Sequence, residues 1–288
     1  MQAEREARLA GVLSIVGNTL LTALKIGFGI AANAQVLVAD GLHNFADLGA
    51  SFAVAIGVKV AHVPADFEHP YGHQKAESVA QKIVGILLLL AGIEILYQSS
   101  LSVFSGDAAV PGMLSAYIAA GSIVVKEALY RYNHHAALRA RSKALAASAV
   151  DHRLDAITSV VALAGILLAR YFAPVFDPLL AGVVSLFVVY SGWQLVNHAV
   201  ADLMDRFDDR AMLEALRGVA RGVRGVVAVS GIRGRYMGAE VLIDLEIAVP
   251  GEYTVREGHY VATTVKEAIM QSRPEVVAVH VHVNPEGE

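Results

Sequence analysis

Two pairs of ionisable residues carry the chemistry that this sequence offers. His43 and Asp47 form the first pair, and Asp151 and Asp155 form the second. Residues four apart lie on the same side of an α-helix, one turn from each other. Three carboxylates and one imidazole can surround a divalent cation tetrahedrally without a thiolate ligand. The spacing therefore predicts one metal site shared by two helices.

Both pairs lie in long apolar runs, Val36–Val60 and Leu145–Tyr171. Ionisable side chains inside a membrane-spanning helix are costly and usually mark a transport path. The alternative is that these groups only pair with one another or with the backbone. Matched spacing on two separate runs favours the metal site.

Two other polar residues, Asp40 and Asn44, share the first run. Asn44 follows His43 directly and points roughly 100° away from it. It could support a metal ligand by hydrogen bonding to it without binding the metal itself. Asp40 lies about one turn from His43 and could relay ions or protons. In the fourth apolar run, Lys126 and Glu127 are interpreted as an ion pair with each other or as residues that reach the membrane surface.

A second group of metal-binding residue types lies between the second and third apolar runs. Asp66, His69 and His73 fall within eight residues, in a segment whose Pro and Gly residues favour turns. These three side chains could converge on a metal ion. A solvated polar loop is the alternative.

A third group lies near the C-terminus, at Asp244, His259, His280 and His282. His280 and His282 alternate along a predicted strand and therefore share one face of it. Histidines on a sheet face are often only polar surface, so metal binding and a simple polar face are both open.

Composition places the chain among membrane proteins. It has 288 residues, of which 55% are hydrophobic and 17% are charged, whereas soluble domains have about a quarter charged residues. Cysteine is absent, which excludes disulfides and thiolate ligands. The net charge of −4 gives no reason to expect nucleic-acid binding.

Six apolar runs are long enough to cross a bilayer as helices. They are Leu9–Ala31, Val36–Val60, Val79–Phe104, Gly112–Arg131, Leu145–Tyr171 and Pro178–Val200. The basic residues that flank them collect on one side of the membrane: Arg5, Arg8, Lys59, Lys75, Arg139, Arg141, Lys143, Arg206 and Arg210. The positive-inside rule then places both termini in the cytoplasm. The chain is therefore predicted to be a multi-pass protein of the inner membrane.

After Val200 the sequence changes to the pattern of a small soluble domain. A charged hinge precedes a helical pattern over residues 211–222, strand patterns at Val226–Gly231 and Glu240–Val249, a helix at Thr254–Gln271 and a strand at Val276–Val283. We therefore predict a six-transmembrane-helix bundle over residues 1–204, with a metal-binding loop at about 61–78. A cytoplasmic α+β domain of the ferredoxin-like order αββαβ follows over residues 205–288.

These motifs together resemble the cation diffusion facilitator family of divalent-metal transporters. Four segments carry the resemblance: Val38–Asp47, His69–Ser78, Asp151–Ala156 and Val279–Pro285. The resemblance covers nearly the whole chain. It implies a homodimer, joined through the cytoplasmic domain in a lipid bilayer, that exports metal from the cytoplasm in exchange for protons.

The resemblance also implies roles for particular residues. The transport ligands of the family match His43, Asp47, Asp151 and Asp155. The loop site resembles Asp66, His69 and His73, and a family pair of opposite charges resembles Lys75 and Asp205. The cytoplasmic sites are similar to Asp244, His259 and His282. Ser230 and Asn284 stand where some members have His and Asp, which puts a binuclear cytoplasmic site in doubt.

Proton coupling follows from the ligand types as well, because carboxylates and imidazoles must lose protons to bind a metal. His43 is the natural group to titrate, since imidazole changes charge near physiological pH. The cargo is expected to be Zn²⁺, Mn²⁺, Fe²⁺ or Co²⁺, and three carboxylates favour the harder ions. A membrane-anchored metal sensor or scaffold and an uncoupled metal conduit are the competing hypotheses.

Overall fold

The computed structural model describes residues 2–61, 63–64, 66–140, 143–237 and 240–287, without the side chains of 2–8, 50–59, 61, 140, 143 and 144. The helices in this part of the chain are α1 Gln2–Ala31, α2 Gln35–Ala61, α3 Ala76–Ser105, α4 Met113–Ala140, α5 Lys143–Tyr171, α6 Phe176–Leu203, α7 Arg210–Arg221 and α8 Val255–Ser272. The strands are β1 Ala228–Met237, β2 Glu240–Val249 and β3 Val276–Pro285. The chain forms two compact units, residues 1–53 with 81–196 and residues 54–80 with 197–288.

The described residues contain five helices long and apolar enough to cross a membrane. They are Leu9–Ala31, Ala76–Ser105, Met113–Arg139, Leu145–Tyr171 and Phe176–Leu203. The other expected span coincides with α2, where residues 50–59 have no described side chains. The count of six spans therefore stays a prediction. Of the basic flanking residues, Arg141 and the side chains of Arg5, Arg8, Lys59 and Lys143 also lie outside the described part.

A tight hairpin joins α1 to α2. Asn33 adopts a left-handed φ of 51°, which Asn tolerates better than most residues. The buried carboxylate of Asp177, at the start of α6, accepts hydrogen bonds from the backbone N–H groups of Gln35 at 2.7 Å and Val36 at 3.4 Å. A carboxylate here satisfies N–H groups that have no partner within the helix and complements its dipole. Asp177 therefore fixes the start of α2.

Close packing of α1 against α2 sets the depth of the first site. At Gly41, a β-carbon would lie 2.8 Å from Ile26 Cγ1 and 3.1 Å from the Ile26 backbone nitrogen. Only glycine allows the two backbones to approach this closely. The approach brings Lys25 of α1 against Asp40 of α2, which is described below.

The C-terminal unit contains a three-stranded sheet in the order β1-β2-β3. β1 pairs antiparallel with β2, and β2 pairs parallel with β3. Alternate residues of β2, Val241, Ile243, Leu245, Ile247 and Val249, enter a core formed with α7 and α8. The element order confirms the predicted α-β-β-α-β pattern, although β1 begins and ends later than Val226–Gly231. The exact ferredoxin-like topology stays a prediction.

A capping box starts α8. The Thr254 side chain accepts a hydrogen bond from the Glu257 backbone N–H, and the Glu257 carboxylate accepts one from the Thr254 backbone N–H at 2.8 Å. The bond from the Thr254 backbone is the main cause that lowers the pKa of Glu257. Because this pKa is lowered in the folded state, the contribution of Glu257 is present at neutral pH and is lost as the pH falls.

We predict that Thr254→Ala destabilises the first turn of α8 by about 1 kcal/mol, because an alanine cannot accept the capping hydrogen bond. The measurement is hydrogen exchange of the α8 amides in the full-length protein, which should become faster in that turn. Thr263→Ala, which removes an exposed threonine from the same helix, is the matched control. Equal exchange in both variants would contradict the capping role.

Candidate metal centre

Asp155 of α5 is the residue around which the predicted site collects. It is 2% exposed. Its Oδ1 lies 3.9 Å from His43 Nε2, and its carboxyl group shares a side-chain hydrogen bond with Asp47. The two helical pairs predicted from the sequence thus meet at this side chain.

A cavity of about 490 Å³ opens beside Asp155. Carboxylates from both helices line it: Asp47, Asp151 and Asp155. The other polar residues in the lining are Ser14, Asn18, Ser148 and His152. Three oxygen ligands therefore face one space that is wide enough for a hydrated cation, while His43 approaches Asp155 from α2.

The four predicted ligands do not close around a single point. In the part of the chain that the structure describes, the one group of three or more His, Asp or Glu side chains with all ligand atoms within 4.8 Å is Asp66, His69 and His73. At the membrane site, Asp155 instead forms an ion pair with the buried ammonium group of Lys126 of α4. Carboxylates that share a site repel one another unless a cation lies between them, and here Lys126 supplies that cation.

Asp40 has a cation of its own. Its Oδ2 lies 2.8 Å from Lys25 Nζ, and both side chains are fully buried. Lys25 also donates to Ser159 Oγ at 2.8 Å, and Thr158 Oγ1 donates to Asp40 Oδ1 at 3.0 Å. The predicted relay residue is thus part of an ion pair that joins α1, α2 and α5.

Asn44 and His43 keep unused polar atoms. Both amide atoms of Asn44 and Nδ1 of His43 are buried without a hydrogen-bond partner among the described residues. The predicted support of a ligand by Asn44 is therefore not made in this arrangement. His43 Nδ1 and Asn44 Oδ1 carry lone pairs that a cation could use, and buried polar groups rarely stay unpaired.

Two lysines at this site depart from what the sequence predicts. The sequence assigns no role to Lys25 and predicts that Lys126 pairs with Glu127 or reaches the membrane surface. For Lys126 that prediction is wrong, because its side chain is fully buried against Asp155, while Glu127 pairs with Arg131 at 2.8 Å and with Arg153. The available signal was the presence of two lysines in apolar runs, which is costly unless each has a partner.

The loop before α3 brings Asp66, His69 and His73 together. Asp66 accepts a hydrogen bond from the His69 backbone N–H at 2.6 Å, and its other oxygen lies 3.6 Å from His73 Nε2. The two imidazole ring centroids are 4.3 Å apart. The bond from the His69 backbone is the main cause that lowers the pKa of Asp66. The lowered pKa keeps Asp66 ionised to a lower pH than an ordinary aspartate.

The ion pair of Lys75 and Asp205, which the family resemblance implies, is present in the unit that contains residues 54–80 and 197–288. Lys75 Nζ lies 2.7 Å from Asp205 Oδ1 and donates to the Leu203 carbonyl at 3.4 Å. Asp205 adopts a left-handed φ of 59°, so the chain turns sharply where α6 ends. The beginning of α3 and the end of α6 are thereby tied together.

The predicted cytoplasmic residues fall on two sides of the sheet. On the face away from the helices, His280 lies opposite Asp244 in the register, with Nδ1 3.3 Å from Asp244 Oδ1. His282 lies on the same face opposite Glu246. His259 belongs to α8, which packs on the other face. The structure therefore does not bring His259 together with the other three.

His259 instead lines a cavity of about 410 Å³ beside the end of β3. Asn284 lies in the same lining. Residues from β2, α8 and β3 surround this space, so His259 and Asn284 lie in the same surroundings.

Comparison with known families covers most of the chain. The model of the cation efflux transmembrane domain matches residues 11–204. The model of the cytoplasmic domain of cation efflux proteins matches residues 208–286. Together the two matches confirm the resemblance that the motifs indicated.

Individual relatives align over nearly the full length. The manganese efflux system protein MneS of Bacillus subtilis is 31% identical over 281 residues, which cover 98% of this chain and 96% of that protein. MneP, described in the same words and from the same organism, is 31% identical over 99% of both chains. The magnetosome protein MamB of Magnetospirillum gryphiswaldense is 30% identical over 92% of this chain and 89% of its own length.

We predict that Asp66→Asn removes metal from the loop, since the amide keeps the shape of the carboxylate but lacks its charge. The full-length protein in detergent should lose about one bound equivalent of Mn²⁺ or Zn²⁺ per chain in equilibrium dialysis. Glu68→Gln, which neutralises a neighbouring exposed carboxylate, should leave the stoichiometry unchanged. If Asp66→Asn binds as many equivalents as the parent protein, the loop is only a polar turn.

Proposed function

The chain belongs to the cation efflux family, also called the cation diffusion facilitators, and on that premise we propose that it exports divalent transition-metal ions in exchange for protons. Export runs from the cytoplasm across the inner membrane. The observation that carries this proposal is the convergence of Asp47, Asp151 and His43 on Asp155 beside a cavity among the helices. Ionisable residues that converge inside a membrane usually mark the path of an ion.

The same ligands explain how metal and protons exchange. A divalent ion binds only when the carboxylates and the His43 imidazole are deprotonated, so loading releases protons on the cytoplasmic side. Protons that enter from outside compete for these atoms and help to expel the ion. Movement of one group of helices against another then exposes the site to each side in turn.

Manganese is the cargo that we propose first. Three carboxylates to one imidazole make a hard ligand set, which suits Mn²⁺ better than a site rich in histidine would. The relatives MneS and MneP are described as manganese efflux proteins. Zn²⁺, Fe²⁺ and Co²⁺ are the competitors, and most ligand sets bind Zn²⁺ more tightly than Mn²⁺. Selection of Mn²⁺ would therefore show in transport rates more than in affinities.

The remaining parts of the molecule are proposed to regulate and assemble the transporter. We assign residues 1–204 to the transmembrane domain and residues 205–288 to a cytoplasmic domain that joins two chains in a homodimer, as family membership implies. The loop site at Asp66 and the open sheet face around Asp244 would bind metal ions as regulators. Both termini lie in the cytoplasm under the positive-inside rule.

We predict that Asp47→Asn lowers Mn²⁺ transport in proteoliposomes by at least about 100-fold. Losing even a residue that only hydrogen-bonds to a metal ligand lowers metal affinity or activity by about 10- to 100-fold. Asp107→Asn, in an exposed connection between α3 and α4, is the matched control and should transport normally. Unchanged transport by Asp47→Asn would rule out the assigned site. If the parent protein signals or assembles normally but transports no metal ion, the hypothesis of a membrane-anchored sensor or scaffold would be favoured.

We also predict that a proton gradient drives the flux. With the exterior of the vesicle set to resemble the cytoplasm and the lumen made acidic, Mn²⁺ uptake should accelerate, and a pH dye in the lumen should report proton loss. A protonophore should abolish the acceleration. Mn²⁺ flux that neither responds to the gradient nor moves protons would identify an uncoupled conduit.

A further inference from the structure

Lys126 is held at the centre of the membrane site by two partners. Its ammonium group forms an ion pair with Asp155 Oδ2 and donates a hydrogen bond of 2.8 Å to Asn18 Oδ1 of α1. The lysine side chain is fully buried. Asn18 and Asp155 both line the cavity that Asp47 and Asp151 face. A fixed positive charge therefore sits where a metal ion must bind.

The second buried lysine has a different position. Lys25 pairs with Asp40 and donates a hydrogen bond to Ser159. Its charge can stay in place whether or not a metal ion is present. Lys126, in contrast, occupies an oxygen that a metal ion bound by His43, Asp47, Asp151 and Asp155 would need.

The formal charges of the cluster point in the same direction. The aspartates of the cluster, Asp40, Asp47, Asp151 and Asp155, carry two more charges than the two lysines. One divalent cation balances that difference with both lysines still charged. When the ion leaves, the two uncompensated charges return and protons must balance them, and Asp155 has no cation beside it unless the Lys126 ammonium group pairs with it again.

We propose that Lys126 is a tethered cation that exchanges places with the transported metal ion at Asp155. When the ion binds, the Lys126 ammonium group moves off Asp155 and keeps its hydrogen bond to Asn18. When the ion leaves, Lys126 returns to Asp155. This exchange weakens metal binding, because an ion pair must break, and it speeds release. The inference rests on the proposed function, since it requires that a cation passes through this site.

The test compares Mn²⁺ binding and transport by the full-length protein with those of Lys126→Met. Without the tethered competitor, the variant should bind Mn²⁺ about 10-fold more tightly in detergent, within the coupling expected for residues in contact. Its KM and its kcat in proteoliposomes should both fall, because release becomes slow. Lys126→Arg, which keeps the charge, should restore turnover in part. Lys266→Met, on the exposed side of α8, is the control for loss of a lysine.

Asn18→Leu provides an independent variant in case Lys126→Met does not fold. It removes the group that holds the displaced lysine, so Mn²⁺ should bind about 10-fold more weakly. In a Lys126→Met background the same change should have no effect on Mn²⁺ affinity. If Lys126 were purely structural, Lys126→Met would instead lower the thermal midpoint of the protein and leave its Mn²⁺ affinity unchanged or weaker.

The outcomes separate this inference from the function on which it rests. If the parent protein transports no divalent ion, the proposed function fails. If the parent transports Mn²⁺ while Mn²⁺ affinity in folded Lys126→Met is unchanged or weaker, only the tethered exchange is overturned. Unchanged affinity in Asn18→Leu would overturn it as well.

Discussion

The structure of the helical unit depends on one constraint, which is that a carboxylate buried among helices needs a partner for its charge, either a cation or, as at Asp177, backbone N–H groups. Water and lipid cannot stabilise that charge there, and the energy of an unpaired ion exceeds what packing can offset. Asp155 meets the constraint through Lys126, and Asp40 meets it through Lys25. Each ion pair joins two helices, so a buried charge is neutralised only when those two helices pack against each other. The pairs connect α1 with α2 and α4 with α5.

Helix packing must be close for these pairs to form. Gly41 lets α1 approach α2 to backbone contact, which places Lys25 within 2.8 Å of Asp40. Asp177 fixes the start of α2 from α6, so α2 cannot slide along its axis without breaking that cap. His43 and Asp47 therefore reach Asp155 at a fixed depth. The geometry of the candidate site is thus set by contacts that are themselves distant from the metal ligands.

The sequence predicts what lies along one element better than what meets across elements. The i, i+4 spacing of His43 and Asp47 requires only helical periodicity, and alternation along β2 identifies its buried face directly. The partners of Lys126 and Glu127 depend on how α4 is rotated against α5, which local spacing does not encode. For the same reason His259 could be grouped with His280 and His282, although α8 and the open face lie on opposite sides of the sheet.

The loop residues Asp66, His69 and His73 are more exposed than Asp155, and this difference changes how each can bind a cation. Asp66 and His69 are about half exposed, so water stabilises their charges and a metal ion can bind or leave without a replacement. Asp155 is almost fully buried and paired with Lys126, so water stabilises its charge far less. Whatever cation leaves that carboxylate must be replaced by another, whether a proton, a lysine or a metal ion. Under the proposed function, obligatory exchange therefore follows from burial itself, and a leak of metal without a counter-ion is disfavoured by the same electrostatics that hold the helices together.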